Sequence, residues 1–516
     1  MQKRIESLFL HKEILLVREK FKKIENGLSF VQEAIRKFSY TDWYILLVLA
    51  IVVIGWTAQN ATFGFVTLIS VSCIVLVFAD DVLPLSVNAF GAMLMIFLAD
   101  GETVVKVANF VYLWPTLIPL GIAIVVFIVR NTIIKVKERQ RFVLGKMFFP
   151  QIAVSAALLL GGVGVVAKAN YLAAFPNAIA LGVGVLAVYL LFANFIKKDE
   201  NRDYAKYFAK VVMWIGFAVC MEMCVIIAKS DLEPSEWSRA YWNVGWGNRN
   251  NIATFLLFSA PMALYLTTRT RKPLPFFCMA FFQYFCLCMT LSRGGILFGM
   301  IALVFGIAFS IYKAPNRKTQ AVYFAVCIAI VAILCAIGHD VVKGLIESIV
   351  NRVHVGDDVD ITSGRFDLYK EAWQVFKENP FLGGGMGYDG HCSGMRNPDN
   401  INQYWFHSTL FQIIGCMGIV GIAAYLYYYI VRFGIVIKGM IKQHKFAFFV
   451  FVAWLGFEGY SMIDTGTMIP FPNMMLVAVM TYILELTSSG NKFETDIDGI
   501  SEALLFEEYK REDCQN

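Results

Sequence analysis

The chain has 516 residues, of which 58% are hydrophobic and 16% charged, with a mean hydropathy of +0.60 and a formal net charge of +6. Soluble domains run at roughly 45–50% apolar and about 25% charged residues, so most of this chain cannot face water. That excludes a soluble enzyme, a nucleic-acid-binding domain and a disordered chain.

A spanning helix needs ~20 mostly apolar residues to cross a hydrocarbon core of about 30 Å. In chain order, residues 1–42 come first, a basic and amphipathic segment without the apolar core and cleavage site of a signal peptide. It is predicted to lie along the inner membrane face. Within 43–240, apolar runs occupy 43–56, 63–78, 83–98, 111–129, 149–166, 172–196 and 211–228, the first short and the third interrupted by Pro84. Within 241–487 they occupy 252–266, 274–291, 296–312, 321–337, 408–430, 446–463 and 474–486. These runs predict an all-α polytopic membrane protein with about fourteen (12–14) transmembrane helices. Residues 488–516 form an acidic tail. Of the eleven cysteines, Cys73, Cys220, Cys224, Cys278, Cys286, Cys288, Cys327, Cys335 and Cys416 lie in apolar runs as small hydrophobes, and no disulfide framework is implied. Cys392 is the only one in a long polar loop.

Orientation follows from the basic residues, because positively charged short loops stay cytoplasmic. Nine precede the first span, and with alternation through fourteen spans 33 of the 45 Lys and Arg fall inside and 12 outside. The inner clusters are at 130–146, 197–210, 269–272, 313–318 and 432–445. Both termini are therefore expected in the cytoplasm.

Two outer connections are long, 229–251 and the large loop 339–406, and loops of that length are usually functional. In the latter, Phe366, Tyr369, Trp373 and Phe376 recur at helical spacing and Asn379-Pro380 stops the helix, which predicts an amphipathic helix on the outer surface or over a cavity. The flexible Gly383-Gly384-Gly385-Met386-Gly387 stretch lacks the ending of a phosphate loop.

The informative residues are the few outer cations. Arg293, followed by Gly294-Gly295, ends a span; a guanidinium there needs an anion or carbonyls, and a tight glycine turn would let a diphosphate approach backbone N–H groups. Snorkelling to water is the plainer alternative. Arg249 opens the eighth span beside Trp242 and Trp246, which an interface belt also explains. His407 begins the twelfth span; a helix N-terminus favours neutral imidazole, which can accept a proton from an attacking hydroxyl, although a lone interfacial histidine is more often structural. His339, His354 and His391 stand near Asp340, Asp357, Asp358 and Asp360 without metal-ligand spacing, so no metal is expected. Glu222 and Glu458 fall inside spans, and each is a functional candidate or the partner of an outer arginine.

Taken together, three segments within 242–470 resemble the O-antigen ligase and O-antigen polymerase family of bacterial membrane glycosyltransferases. They are Thr290-Leu-Ser-Arg-Gly-Gly295; Ser363-Gly-Arg-Phe-Asp-Leu-Tyr followed by Asn379-Pro-Phe-Leu-Gly-Gly-Gly-Met-Gly387; and His407-Ser-Thr-Leu-Phe-Gln412 with Gly418 and Gly421. The family often has asparagine after the histidine and an acid nine residues beyond it, where this chain has Ser408 and Cys416.

The resemblance implies a bacterial cytoplasmic-membrane enzyme with an outward-facing site. It would be a metal-independent, cofactor-free inverting glycosyltransferase that moves a glycan from an undecaprenyl-diphosphate donor to an acceptor hydroxyl. By motif, Arg293 and, in second place, Arg249 hold the diphosphate, Arg365 contacts donor or loop, and His407 contacts or deprotonates the acceptor. Besides the donor, the implied partners are a glycan, lipid or protein acceptor, the bilayer and other polysaccharide-assembly membrane proteins, with no nucleic acid. The leading expectation is a polysaccharide polymerase and the alternative a ligase acting on lipid or protein. A lipid-linked oligosaccharide flippase or transporter would gather ionisable groups at the midplane, whereas here the polar residues sit at the outer ends.

Overall fold

The computed structural model describes residues 29–79, 81–95, 107–197, 199, 202–230, 232–233, 249–353, 364–388 and 405–488, with backbone alone for 107–114 and 351–353. The basic segment up to 28, the acidic tail from 489, Trp242, Trp246, and the loop residues His354, Asp357, Asp358, Asp360, Ser363, His391 and Cys392 lie outside the described residues.

Among the described residues there are helices and no strand. α1 (Ser29–Ser39) meets α2 (Asp42–Thr57) at 76°. α3 (Ala61–Ile74) continues as a π turn to Ala79. There follow α4 (Leu85–Gly91), α5 (Val107–Lys137), α6 (Phe148–Leu160), α7 (Lys168–Ile179) and α8 (Val185–Phe195), the last two joined by a π turn, and then α9 (Tyr204–Lys229). The second half contains α10 (Arg249–Thr267), α11 (Leu274–Met289), α12 (Arg293–Lys313), α13 (Arg317–Ile337), α14 (His339–Val353), α15 (Arg365–Glu378), α16 (Thr409–Ile441), α17 (Lys445–Ser461) and α18 (Met475–Ser488).

The protein is thus a polytopic helical membrane protein. By length and composition, eight of its described helices can cross a membrane, or nine if α1 and α2 form one bent span. The expected count of about fourteen is met only to that extent, for local reasons. Leu85–Met95, Phe148–Leu160 and Leu274–Met289 are apolar but short. α6 ends where Gly161 leaves helical geometry and Gly162 donates its N–H to the Leu382 carbonyl at 2.9 Å. α10 falls outside the eight for the opposite reason. It is buried from Ile252 to Thr267 and packed by α9, α11, α12 and α17, so it can carry polar residues that lipid would not tolerate.

α15 is the helix expected in the large loop, but its buried face is Leu368, Ala372 and Val375, while Phe366 and Trp373 are exposed. The same loop begins with a second helix, α14, directly after Gly338.

The glycine stretch after α15 is a structural plug. α16 breaks at Gly418, whose φ of 58° and ψ of −149° cannot continue a helix. The break frees two donors and two acceptors, and the segment after α15 takes all four. Ile419 and Val420 donate to the Pro380 and Phe381 carbonyls at 2.8 and 3.2 Å, while Gly384 and Gly385 donate to the Gly415 and Cys416 carbonyls at 2.7 and 2.9 Å. A Cβ on Gly383, at φ 63°, would stand 2.5 Å from Cys416 backbone, so this close docking requires glycine.

At the end of the bundle away from this plug lie pairs such as Arg269 with Asp203 at 2.6 Å and Lys210 with Asp42 at 2.8 Å. Arg432, expected among the basic residues of that face, is instead fully buried and ion-paired with Glu458. Tyr429 donates to the same carboxylate at 3.0 Å and Thr467 at 3.3 Å, and the Trp454 ring centre is 4.6 Å from the guanidinium. Glu458 therefore pairs with an arginine of the interior and not with an outer one. Glu222 is buried in α9.

Gly383→Ala is expected to lower stability by about 2–4 kcal/mol through left-handed strain and overpacking. Gly434→Ala, in the interior of α16 where a Cβ meets open space, serves as the control that does not lower the melting temperature of the purified protein. Arg432→Met alone should cost about 3–5 kcal/mol by stranding Glu458, and Arg432→Met with Glu458→Leu should cost much less. A thermal melt of the single and double variants checks the ordering.

Candidate active site

α10, α12 and α16 all begin at one end of the bundle, and α17 finishes there. Two of these starts share a local device. Leu291 and His407 each adopt a left-handed backbone (φ 53° and 49°) one residue ahead of an N-cap serine, Ser292 before α12 and Ser408 before α16. α15 likewise follows Gly364 at φ 76°. A positive φ at a non-glycine residue is uncommon, and histidine is among the residues that tolerate it.

These starts are gathered by one carboxylate. Asp464, in the connection after α17, is nearly buried at 8% exposure. Its Oδ2 accepts from Asn250 Nδ2 at 2.8 Å and from the Tyr460 hydroxyl at 3.0 Å, and lies 3.8 Å from Arg365 Nη2. Its Oδ1 accepts from the Thr465 N–H at 2.8 Å and stands 3.5 Å from His407 Nδ1. Its carbonyl accepts from the Thr409 N–H at 3.0 Å, pinning the first turn of α16 to the end of α17. Burial by itself would raise the Asp464 carboxyl, but the His407 imidazole, the Arg365 guanidinium and the Thr465 N–H together hold it below the ordinary carboxylate value.

The outer shell is equally tied. Ser292 Oγ donates to Asn250 Oδ1 at 3.1 Å and lies 3.4 Å from the Tyr460 hydroxyl, joining α12 to α10 and α17. Arg365 also donates to the Ile463 carbonyl. Tyr369 stacks on Phe411 at 4.3 Å and donates to the His407 carbonyl at 3.2 Å. Phe406, buried against Gly415, donates its N–H to Gln412 Oε1 at 2.9 Å.

The four expected residues thus fall into two groups. Arg365 and His407 meet at Asp464, while Arg249 and Arg293 adjoin through their neighbours Asn250 and Ser292. Arg293 is exposed at the start of α12. Arg249 is half-buried at the start of α10, with Nη1 buried and without a hydrogen-bond partner among the described residues. Gly294 and Gly295 are not the open turn expected beside Arg293. They lie in the first turn of α12 with their faces against Tyr460 and Ala253, so their smallness serves helix packing. His407 does not rest on the helix dipole alone, because the Asp464 carboxylate faces it. Among the described residues no three His, Cys, Asp or Glu side chains gather as a metal site.

Asp464, Asn250, Tyr460 and Ser292 were not singled out from the sequence. A signal for Asp464 exists, since Glu458 and Asp464 are the only charged residues between 446 and 474.

Residues 274–426 match the O-antigen ligase family. The O-antigen ligase segment runs from the start of α11 into α16 and includes Arg293, Arg365, His407 and the break at Gly418. It is shorter than the 242–470 resemblance, leaving Arg249 and Asp464 outside. Among curated proteins, none matches the chain.

Asp464→Asn keeps the size of the side chain and removes its charge. A group with a depressed value contributes stability above its unfolded value, about 3.9, and loses it as pH falls through the folded one. The variant should therefore melt lower than the parent at pH 7, with the difference closing as the pH falls below the ordinary carboxylate value of about 3.9.

Proposed function

We propose that the chain is a polysaccharide polymerase that transfers a glycan from an undecaprenyl-diphosphate donor to an acceptor sugar hydroxyl at the outer face of the bacterial cytoplasmic membrane. The observation that carries this reading is the Arg365–Asp464–His407 cluster at the helix starts that bear Arg249 and Arg293, built partly within the O-antigen ligase segment. In the proposed arrangement the helices make fourteen crossings, both termini are cytoplasmic and the cluster faces outward, as the distribution of basic residues supports.

His407 accepts the proton of the acceptor hydroxyl as its oxygen attacks the anomeric carbon. Asp464 acts as a positioning residue, holding the Nδ1 edge of the ring so that Nε2 meets the acceptor and the imidazolium is stabilised as it forms. The bond from the anomeric carbon to the diphosphate oxygen breaks from the opposite side, inverting the centre, and its electron pair leaves with the lipid diphosphate. Arg293 and Arg249 neutralise that leaving charge in place of a metal ion. Arg365, engaged with the 463–464 backbone and carboxylate, keeps the connection in place and so supports His407.

A ligase that hands a finished glycan to a lipid or protein is the second reading, favoured by the family's description as O-antigen ligase.

Arg293→Ala and His407→Ala should abolish transfer while the protein remains membrane-inserted, and Asp464→Asn should lower the rate about 10²-fold. Purified protein with an undecaprenyl-diphosphate repeat unit should yield a ladder of lengthening products. A single product formed only with an added acceptor would instead establish the ligase, and no transfer at all would leave a transporter. Wild-type product length in either alanine variant would remove that residue from the reaction.

A further inference from the structure

Helices α3, α4, α5 and α8, with the start of α18, line a partly open cavity of about 380 Å³ in the apolar part of the bundle. Phe65, Phe90, Phe127, Phe192 and Phe471 stand on its wall. The polar side chains there are engaged within the protein. Asn88 accepts from the Tyr44 hydroxyl at 2.5 Å and donates to Ser72 Oγ at 3.0 Å, while the Ser72 and Ser86 hydroxyls donate to the Leu68 and Leu83 carbonyls. A cavity lined in this way offers nothing to water, and leaving it empty would forfeit dispersion contacts around its whole wall. Hydrocarbon is its fitting occupant. The α5 side of the wall supplies the entrance, since Leu117 and Ile124 are themselves about two-fifths exposed (41% and 39%) toward the bilayer side.

The chain links the cavity wall to the candidate active site, which favours a hydrocarbon belonging to the donor. Phe471, stacked on Phe90 at 6.1 Å, follows Asp464 by seven residues. The intervening chain is laced together, with Asn473 Nδ2 donating to the Gly466 carbonyl at 3.0 Å and Met474 N–H to that of Ile469 at 3.1 Å. Seven extended residues reach at most about 25 Å, well within the span of an undecaprenyl chain. An occupant of the cavity therefore bears on the same segment that holds the carboxylate of the active site.

We propose that this cavity binds several isoprene units of the donor's polyprenyl chain while the diphosphate stands at the Asp464 end of the bundle. The assignment rests on the reading given under Proposed function. Ala89 and Leu120 also line the cavity, and Ala89→Trp or Leu120→Trp would each occupy part of it.

The test uses the full chain in phosphatidylglycerol nanodiscs with an undecaprenyl diphosphate that carries a diazirine on its chain. Photolabel should appear on wall peptides of α4 and α5, be displaced by unlabelled undecaprenyl diphosphate, and fall several-fold on them in both tryptophan variants. In turnover, each variant should raise KM for the undecaprenyl-linked donor about tenfold relative to a C10-linked donor, the loss of on the order of ten carbon contacts. Label displaced equally by added phospholipid, label retained in both variants, or equal KM changes for the two donors would overturn the proposal. Displaceable wall labelling in a wild-type protein that transfers no glycan would uphold the lipid site and overturn the transferase reading alone.

Discussion

A backbone polar group in hydrocarbon must find its partner inside the protein, and the structure depends on how α16 meets that constraint. The helix breaks at Gly418 a few residues inside the bundle, and the carbonyls and N–H groups of 380–385 replace the bonds that the break removes. One exchange thereby locks the end of α15, the glycine stretch and both halves of α16 together. The same stretch reaches α6, where Gly162 donates to Leu382, so the N-terminal half is tied to this plug as well.

That lock positions the candidate active site. α15 carries Arg365 and Tyr369, and α16 is preceded by Phe406, His407 and Ser408; each would be misplaced if the plug slipped. Asp464 then fixes the remaining freedom by joining α10, α15 and the start of α16 to the end of α17. Its charge is balanced on the spot by Arg365 and further held by contacts with the His407 imidazole and the Thr465 N–H, which is why burial does not neutralise it.

A second buried carboxylate, Glu458, stands six residues before Asp464 in a different environment. It is closed by Arg432, Tyr429 and Thr467 within a ring of aromatic side chains. Thr467 belongs to the turn directly after Asp464, so the interior ion pair braces the connection that bears the active-site carboxylate. The two acids divide the work: Glu458 is satisfied inside the bundle, and Asp464 faces the end at which Arg293 is exposed and His407 half-buried.

By itself the sequence determined the class of the protein, because a chain this apolar can only place its helices in lipid, and it marked Arg249, Arg293, Arg365 and His407 by the rarity of cations away from the basic loops. It also placed α15 and its stop at Asn379. Only the tertiary structure decided what those residues face. Apolar periodicity marked an amphipathic helix, and only the fold shows that Leu368, Ala372 and Val375 turn to the protein while Phe366 and Trp373 turn away from it. A run of glycines reports freedom, and only the partner backbone shows that in 383–385 this freedom is used for close docking against α16. Arg432 reads as one more basic residue near a loop until the fold sets it against Glu458. Asp464 lies 57 residues from His407 and 99 from Arg365, and nothing local in the chain states that three helix starts will converge on it.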